Sequence, residues 1–68
     1  MGNYRIRKSI THGAQGWMYK LFRVTGNVSE CIARYQQGGE MVLTEAYRIG
    51  DDTEALTGFF KYIEEVAA

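Results

Sequence analysis

His12 is the one side chain here that ordinarily titrates near neutrality, and Cys31 is the one thiol. A histidine working as a general base needs a nucleophile or an orienting carboxylate within reach. His12 sits in Thr11 to Gly16 (THGAQG) with no Ser, Cys or Asp at a catalytic spacing. It reads as a solvent-exposed loop residue. The same stretch has two glycines but lacks the Lys and Ser/Thr of a phosphate loop. Cys31 reads as a small core residue, since a reactive thiol needs an electropositive, accessible setting. Asp51-Asp52 and Glu64-Glu65 are neighbours in sequence, which suits a helix cap and a solvated face, not an acid–base dyad. One cysteine allows no disulfide within the chain, and one histidine with one cysteine does not make a tetrahedral zinc site. The expectation is a protein without catalytic residues, metal or cofactor.

The elements that would position any other site are marked by two glycine turns, Gly26-Asn27 and Gly38-Gly39. They separate three runs of similar length, Trp17 to Thr25, Val28 to Gln36 and Met41 to Ile49. Such turns favour tight hairpins, because their central residues accept positive φ. Tyr4 to Ile10 alternates, with Tyr4, Ile6, Lys8 and Ile10 on one side and Arg5, Arg7 and Ser9 on the other. Its cations suit an edge strand. Asp51 and Glu54 form a capping box, and Leu56, Phe59, Phe60, Ile63, Val66 and Ala67 follow at the spacing of one helical face. The expected fold is α+β: a four-stranded antiparallel meander with one C-terminal helix packed on one face (ββββα), a single domain over residues 1–68. Asn27 and Glu30 are also a capping box, with Val28, Cys31, Ile32 and Tyr35 at helical spacing, so ββαβα is the alternative.

A two-residue loop at Gly26-Asn27 sets Arg23 opposite Glu30, Phe22 opposite Cys31, Tyr19 opposite Arg34 and Met18 opposite Tyr35. Carried through Gly38-Gly39, the register sets Cys31 opposite Ala46, Ala33 opposite Thr44 and Tyr35 opposite Val42. One face then holds Met18, Phe22, Val24, Cys31, Ala33, Val42, Thr44 and Ala46. Its small middle suits a covering helix with two phenylalanines, provided Lys20 and Arg48 reach the margin. The other face holds Trp17, Tyr19, Leu21, Ile32, Met41, Leu43 and Tyr47 among Arg23, Glu30, Arg34 and Glu45. Large apolar patches usually mark an interface. The expected protein-interface residues are therefore Trp17, Tyr19, Leu21, Arg23, Ile32, Arg34, Met41, Leu43 and Tyr47.

At 68 residues a single core barely offsets chain entropy, which favours oligomers. A homodimer or a heterologous protein partner through the aromatic face is the first expectation. In size and architecture the chain is similar to phage and plasmid accessory factors that inhibit host machinery, anti-CRISPR proteins among them, though no motif identifies such a family. The second expectation is a nucleic-acid-binding sheet module of the kind found in the arm-binding domains of phage integrases. Arg5, Arg7, Lys8, Lys20, Arg23 and Arg34 would then contact phosphate. Eight Lys plus Arg against eight Asp plus Glu, with Glu30 and Glu45 on the same face, disfavour it. No apolar run approaches the length of a membrane span, no secretory h-region is present, and Ile6 stands where a myristoylation motif wants Ser or Thr. With an unpaired cysteine, these features point to a cytoplasmic protein.

Overall fold

Gly26 and Gly38 turn the chain with φ of +59° and +83°, a region that glycine enters without a Cβ penalty. In the computed structural model, which describes residues 3–10 and 16–66, they join β2 (Trp17–Thr25) to β3 (Val28–Gln36) and β3 to β4 (Met41–Leu43). Strand β1 (Asn3–Ile10) precedes them and helix α1 (Thr53–Val66) follows. The sheet is antiparallel throughout, in the order β1-β2-β3-β4, with the cationic β1 at an edge. Val28–Gln36 is a strand, so the ββββα order stands and the helical alternative for that segment does not. Thr11 to Gln15, with His12, lie outside the described residues.

The first hairpin starts in the expected register, with Thr25 opposite Val28, Arg23 opposite Glu30 and Phe22 opposite Cys31. A β-bulge then intervenes: Leu21 faces Ala33, which leaves Ile32 as the extra residue on β3. Beyond it Tyr19 faces Tyr35 and Met18 faces Gln36, which corrects the expected Tyr19–Arg34 and Met18–Tyr35 pairs. The bulge seats both Ile32 and Ala33 in the core, each with no exposed surface. It also sends Arg34 to the opposite face from Tyr19.

The second hairpin is one residue off the expected register, pairing Tyr35 with Met41, Arg34 with Val42 and Ala33 with Leu43. Strand β4 also stops at Leu43 instead of running to Ile49. Thr44 ends it: its hydroxyl donates to the Cys31 carbonyl (2.6 Å) and accepts from the Ala46 amide (3.2 Å), bending the chain away from the ladder.

The helix covers the face that carries Tyr19 and Leu21, the reverse of the expected side. Phe59 and Ile63 of α1 pack on Tyr19, Leu21, Ile32 and Ala33, with Leu56, Tyr62 and Tyr47 around them. Tyr19 stacks edge-on against Tyr62, with ring centroids 6.0 Å apart. Phe60 is 47% exposed, because it lies about 100° around the helix from Phe59 and so overhangs the sheet. The covered face is the one whose single buried cation, Arg23, has carboxylates to pair with. Covering the other would bury Lys20 between Arg7 and Arg34, without one.

Candidate functional site

Most of the residues expected to form an interface do share a side of the sheet, but it is the helix side. Tyr19, Leu21 and Ile32 are buried, Arg23 is 6% exposed, and Met41 is half-buried against the core. Tyr47 belongs to the loop after β4, packs against the same core, and shares a hydrogen bond with the Thr53 hydroxyl (3.1 Å). Leu43 and Trp17 keep substantial exposure at the margins of this layer. The Lys8 ammonium sits over the Trp17 ring, 4.4 Å from its centroid. Arg34 alone among the expected residues points to the open side, across from Val42 and Lys20.

The open side is read from the register. Opposite residues in an antiparallel pair share a face, so Arg7, Lys20, Arg34 and Val42 form one row across all four strands. The next row holds Arg5, Phe22 and Cys31, and the one on the other flank holds Ser9, Met18 and Gln36. Arg5, Arg7 and Arg34 are exposed and Lys20 is half-buried. No strand residue on this face is acidic; Glu40 lies in the turn before β4. Among the described residues the ion pairs are Arg23–Glu30 and Arg23–Asp52, so none of these four cations has an internal counterion.

The other layer is acidic on balance, with Arg48 and Lys61 as its exposed cations. Asp51, Glu54, Glu64 and Glu65 are exposed on α1 and the loop leading into it. Asp52 precedes the helix and is fully buried, while Asp51, the expected cap, is exposed. The Asp52 carboxylate is not spent on helix amides. It accepts from the Tyr4 hydroxyl (2.6 Å), the Arg48 amide (2.8 Å) and Arg23 Nη1. Arg23 also donates to Glu30 (3.0 Å) and to the Ala46 carbonyl (3.1 Å). Burial pushes the Asp52 carboxyl up, but Tyr4, the Arg48 amide and Arg23 outweigh it, leaving the group below its ordinary range. Arg23 is held still more firmly charged, chiefly by its bond to Glu30. This network fixes α1 to one end of the sheet and draws Glu30 to the helix side.

A cleft of about 580 Å³ opens beside the network, walled by Arg48, Asp51 and Glu54. Its charges are mixed. Among the described residues no group of His, Cys, Asp and Glu is arranged to hold a metal ion, and no helix is long and apolar enough to cross a membrane. No family model, curated protein or solved structure matches the chain.

Lys20 is expected at the margin of the covered face, and among the phosphate contacts only in the nucleic-acid alternative; in the structure it stands at the centre of the cationic row on the uncovered face. Pairing β1 with β2 in the register Arg7–Lys20 would have revealed it.

Proposed function

We propose that this protein is a non-enzymatic nucleic-acid-binding module whose open sheet face neutralises backbone phosphates. The observation that carries the reading is the row Arg7–Lys20–Arg34, flanked by Arg5, with no carboxylate on the strands of that face. Like charges set directly opposite on neighbouring strands destabilise a sheet. A bound polyanion offsets that repulsion and turns it into affinity through counterion release. Zero formal charge does not oppose this reading, because Asp51, Glu54, Glu64 and Glu65 lie exposed on the helix layer, Glu40 and Glu45 flank β4, and the strands of the open face carry cations without a carboxylate. Nor does Glu30, whose carboxylate is engaged by Arg23 on the other side.

A homodimer or protein partner seated on the aromatic residues has less support, since Tyr19, Leu21 and Ile32 lie beneath α1. The unpaired Cys31 suits a cytoplasmic setting, where nucleic acid is accessible.

The test is equilibrium binding of the purified protein to labelled mixed-sequence DNA and RNA across a salt series. Four phosphate contacts predict a log–log salt slope between about −3 and −4. The double variant Arg7→Gln/Arg34→Gln should flatten it by about 2. Absence of binding at low salt rejects the reading and leaves an acidic protein, the target a phage- or plasmid-type accessory inhibitor would need, as the partner to seek.

A further inference from the structure

Strand β1 lies at the margin of the sheet, paired to β2 without a bulge from Asn3–Val24 to Ile10–Trp17. Alternate residues of such a strand direct both N–H and C=O away from the sheet. Among the described residues nothing takes up those groups: the ladder with β2 is the only backbone bonding of β1, and α1 packs over β2 and β3. The edge is also held in place. The Tyr4 hydroxyl is bonded to Asp52 and to the Asp51 carbonyl, and the Lys8 ammonium rests on the Trp17 ring. An open edge of this kind pairs with another extended segment, whose side chains must suit both faces.

The charges on β1 select the occupant. Arg5 and Arg7 share the open face, Lys8 lies on the helix side, and the strand has no carboxylate. A second copy is repelled. Two-fold antiparallel pairing of β1 with itself keeps each residue on its own face. Every extended register then sets cation against cation: Arg5 on Arg5, Arg5 on Arg7, Arg7 on Arg7 or Lys8 on Lys8. A strand with acidic residues at alternate positions instead meets Arg5 and Arg7 with opposite charge, and apolar residues between them meet the exposed Ile6 and Ile10. We propose that β1 receives an extended acidic segment of a partner protein as a further strand, its alternating carboxylates on the open face and its apolar side chains on the helix side. The site is distinct from the one proposed for nucleic acid: its bonds come from edge backbone groups, although Arg5 and Arg7 serve both.

The probe is an end-capped, fluorescein-labelled peptide of alternating Glu and Val, matched in length to β1. Its controls are the Lys/Val counterpart and a Glu/Val peptide N-methylated at every residue, all compared by fluorescence anisotropy at low salt. The Glu/Val peptide should bind about tenfold more tightly than either control. Hydrogen exchange followed by NMR should slow at alternate amides of β1 when it binds. Arg5→Glu/Arg7→Glu should invert the preference, losing the Glu/Val peptide and gaining the Lys/Val one, a gain that also shows the variant to be folded. Failure of the Glu/Val peptide to bind, equal binding of the two charge types, retention by the N-methylated peptide, or protection confined to residues outside β1 overturns the proposal. So does a dimer at the same concentrations whose outward β1 amides are already protected, since a second copy then fills the edge.

Discussion

Arg23 and Asp52 meet inside the molecule, with 7% of the arginine side chain exposed and none of the aspartate. The contact joins the C-terminal part of β2 to the residue before α1, 29 positions along the chain. It also settles which face of the sheet is covered. A cation under the helix is tolerated because a carboxylate arrives with the helix, and Glu30 from the adjacent strand completes the pairing. Among the described residues the cations of the other face have no such partners, and Arg5, Arg7 and Arg34 remain exposed while Lys20 is half-buried.

Removing the carboxylate should therefore be severe. Asp52→Ala leaves a buried guanidinium short of one counterion and leaves the Tyr4 hydroxyl only the Asp51 carbonyl as acceptor (3.1 Å). Breaking a buried pair from one side costs about 3–5 kcal/mol, a large share of the stability of so small a domain. Urea denaturation followed by circular dichroism should show the midpoint fall sharply. The double replacement Arg23→Met/Asp52→Leu, which removes both charges, should recover much of the loss.

The same network sets the pH limits of stability. Asp52 titrates below its ordinary value of 3.8 in the fold, so its contribution is complete above that value. The contribution is lost as pH falls through the depressed pKa, because the unfolded chain takes up the proton first. Tyr4 works at the other end: its bond to Asp52 raises the phenol above its ordinary 10.0. That stabilisation is complete below 10.0 and is lost as pH rises through the higher folded value. Thermal melts across pH should show both limbs. Tyr4→Phe should remove the alkaline one, and Asp52→Asn should weaken the acid one.

Phe59 and Phe60 are adjacent and identical in type, yet they should behave differently. Phe59 is fully buried among Tyr19, Leu21 and Ile63, whereas Phe60 is 47% exposed. Phe59→Ala should cost about 3–5 kcal/mol and unfold much of the population. Phe60→Ala should cost about 1 kcal/mol, in line with its partial burial. Chemical denaturation of the two variants side by side makes the comparison.

Gly58 sits within α1, and a Cβ added there would meet nothing within 4 Å. The helix gains no close approach from this glycine. Gly58→Ala should raise stability by about 1 kcal/mol, the difference in helix propensity, and leave nucleic-acid binding unchanged. Urea midpoints and salt-dependent anisotropy on the same preparation read both.

The elements were legible in the sequence because their signals are local: glycine turns at Gly26 and Gly38, alternation in β1, and the apolar stripe that contains Phe59 and Ile63. The covered face was not, for a physical reason. Both sides of β2 are apolar enough to pass for a core, Tyr19 and Leu21 on one and Met18, Phe22 and Val24 on the other. Alternation groups such residues without saying which group the helix meets. The deciding signals are long-range. Arg7 abreast of Lys20 requires the β1 register, and Arg23 under α1 requires Asp52 from the far end of the fold. The bulge at Ile32 carries no glycine to announce it, and it is what moves Arg34 onto the open face. The candidate site was thus visible as a list of cations, but not as a surface.

The most direct measurement of the central claim is a backbone-amide NMR titration of the protein with duplex DNA at low salt. Chemical-shift changes and line broadening should concentrate on Arg5, Arg7, Lys20, Phe22 and Arg34, and spare Glu54 to Glu65 of α1. Changes centred on the helix, on Trp17 or on Leu43, with the open sheet face silent, would contradict it.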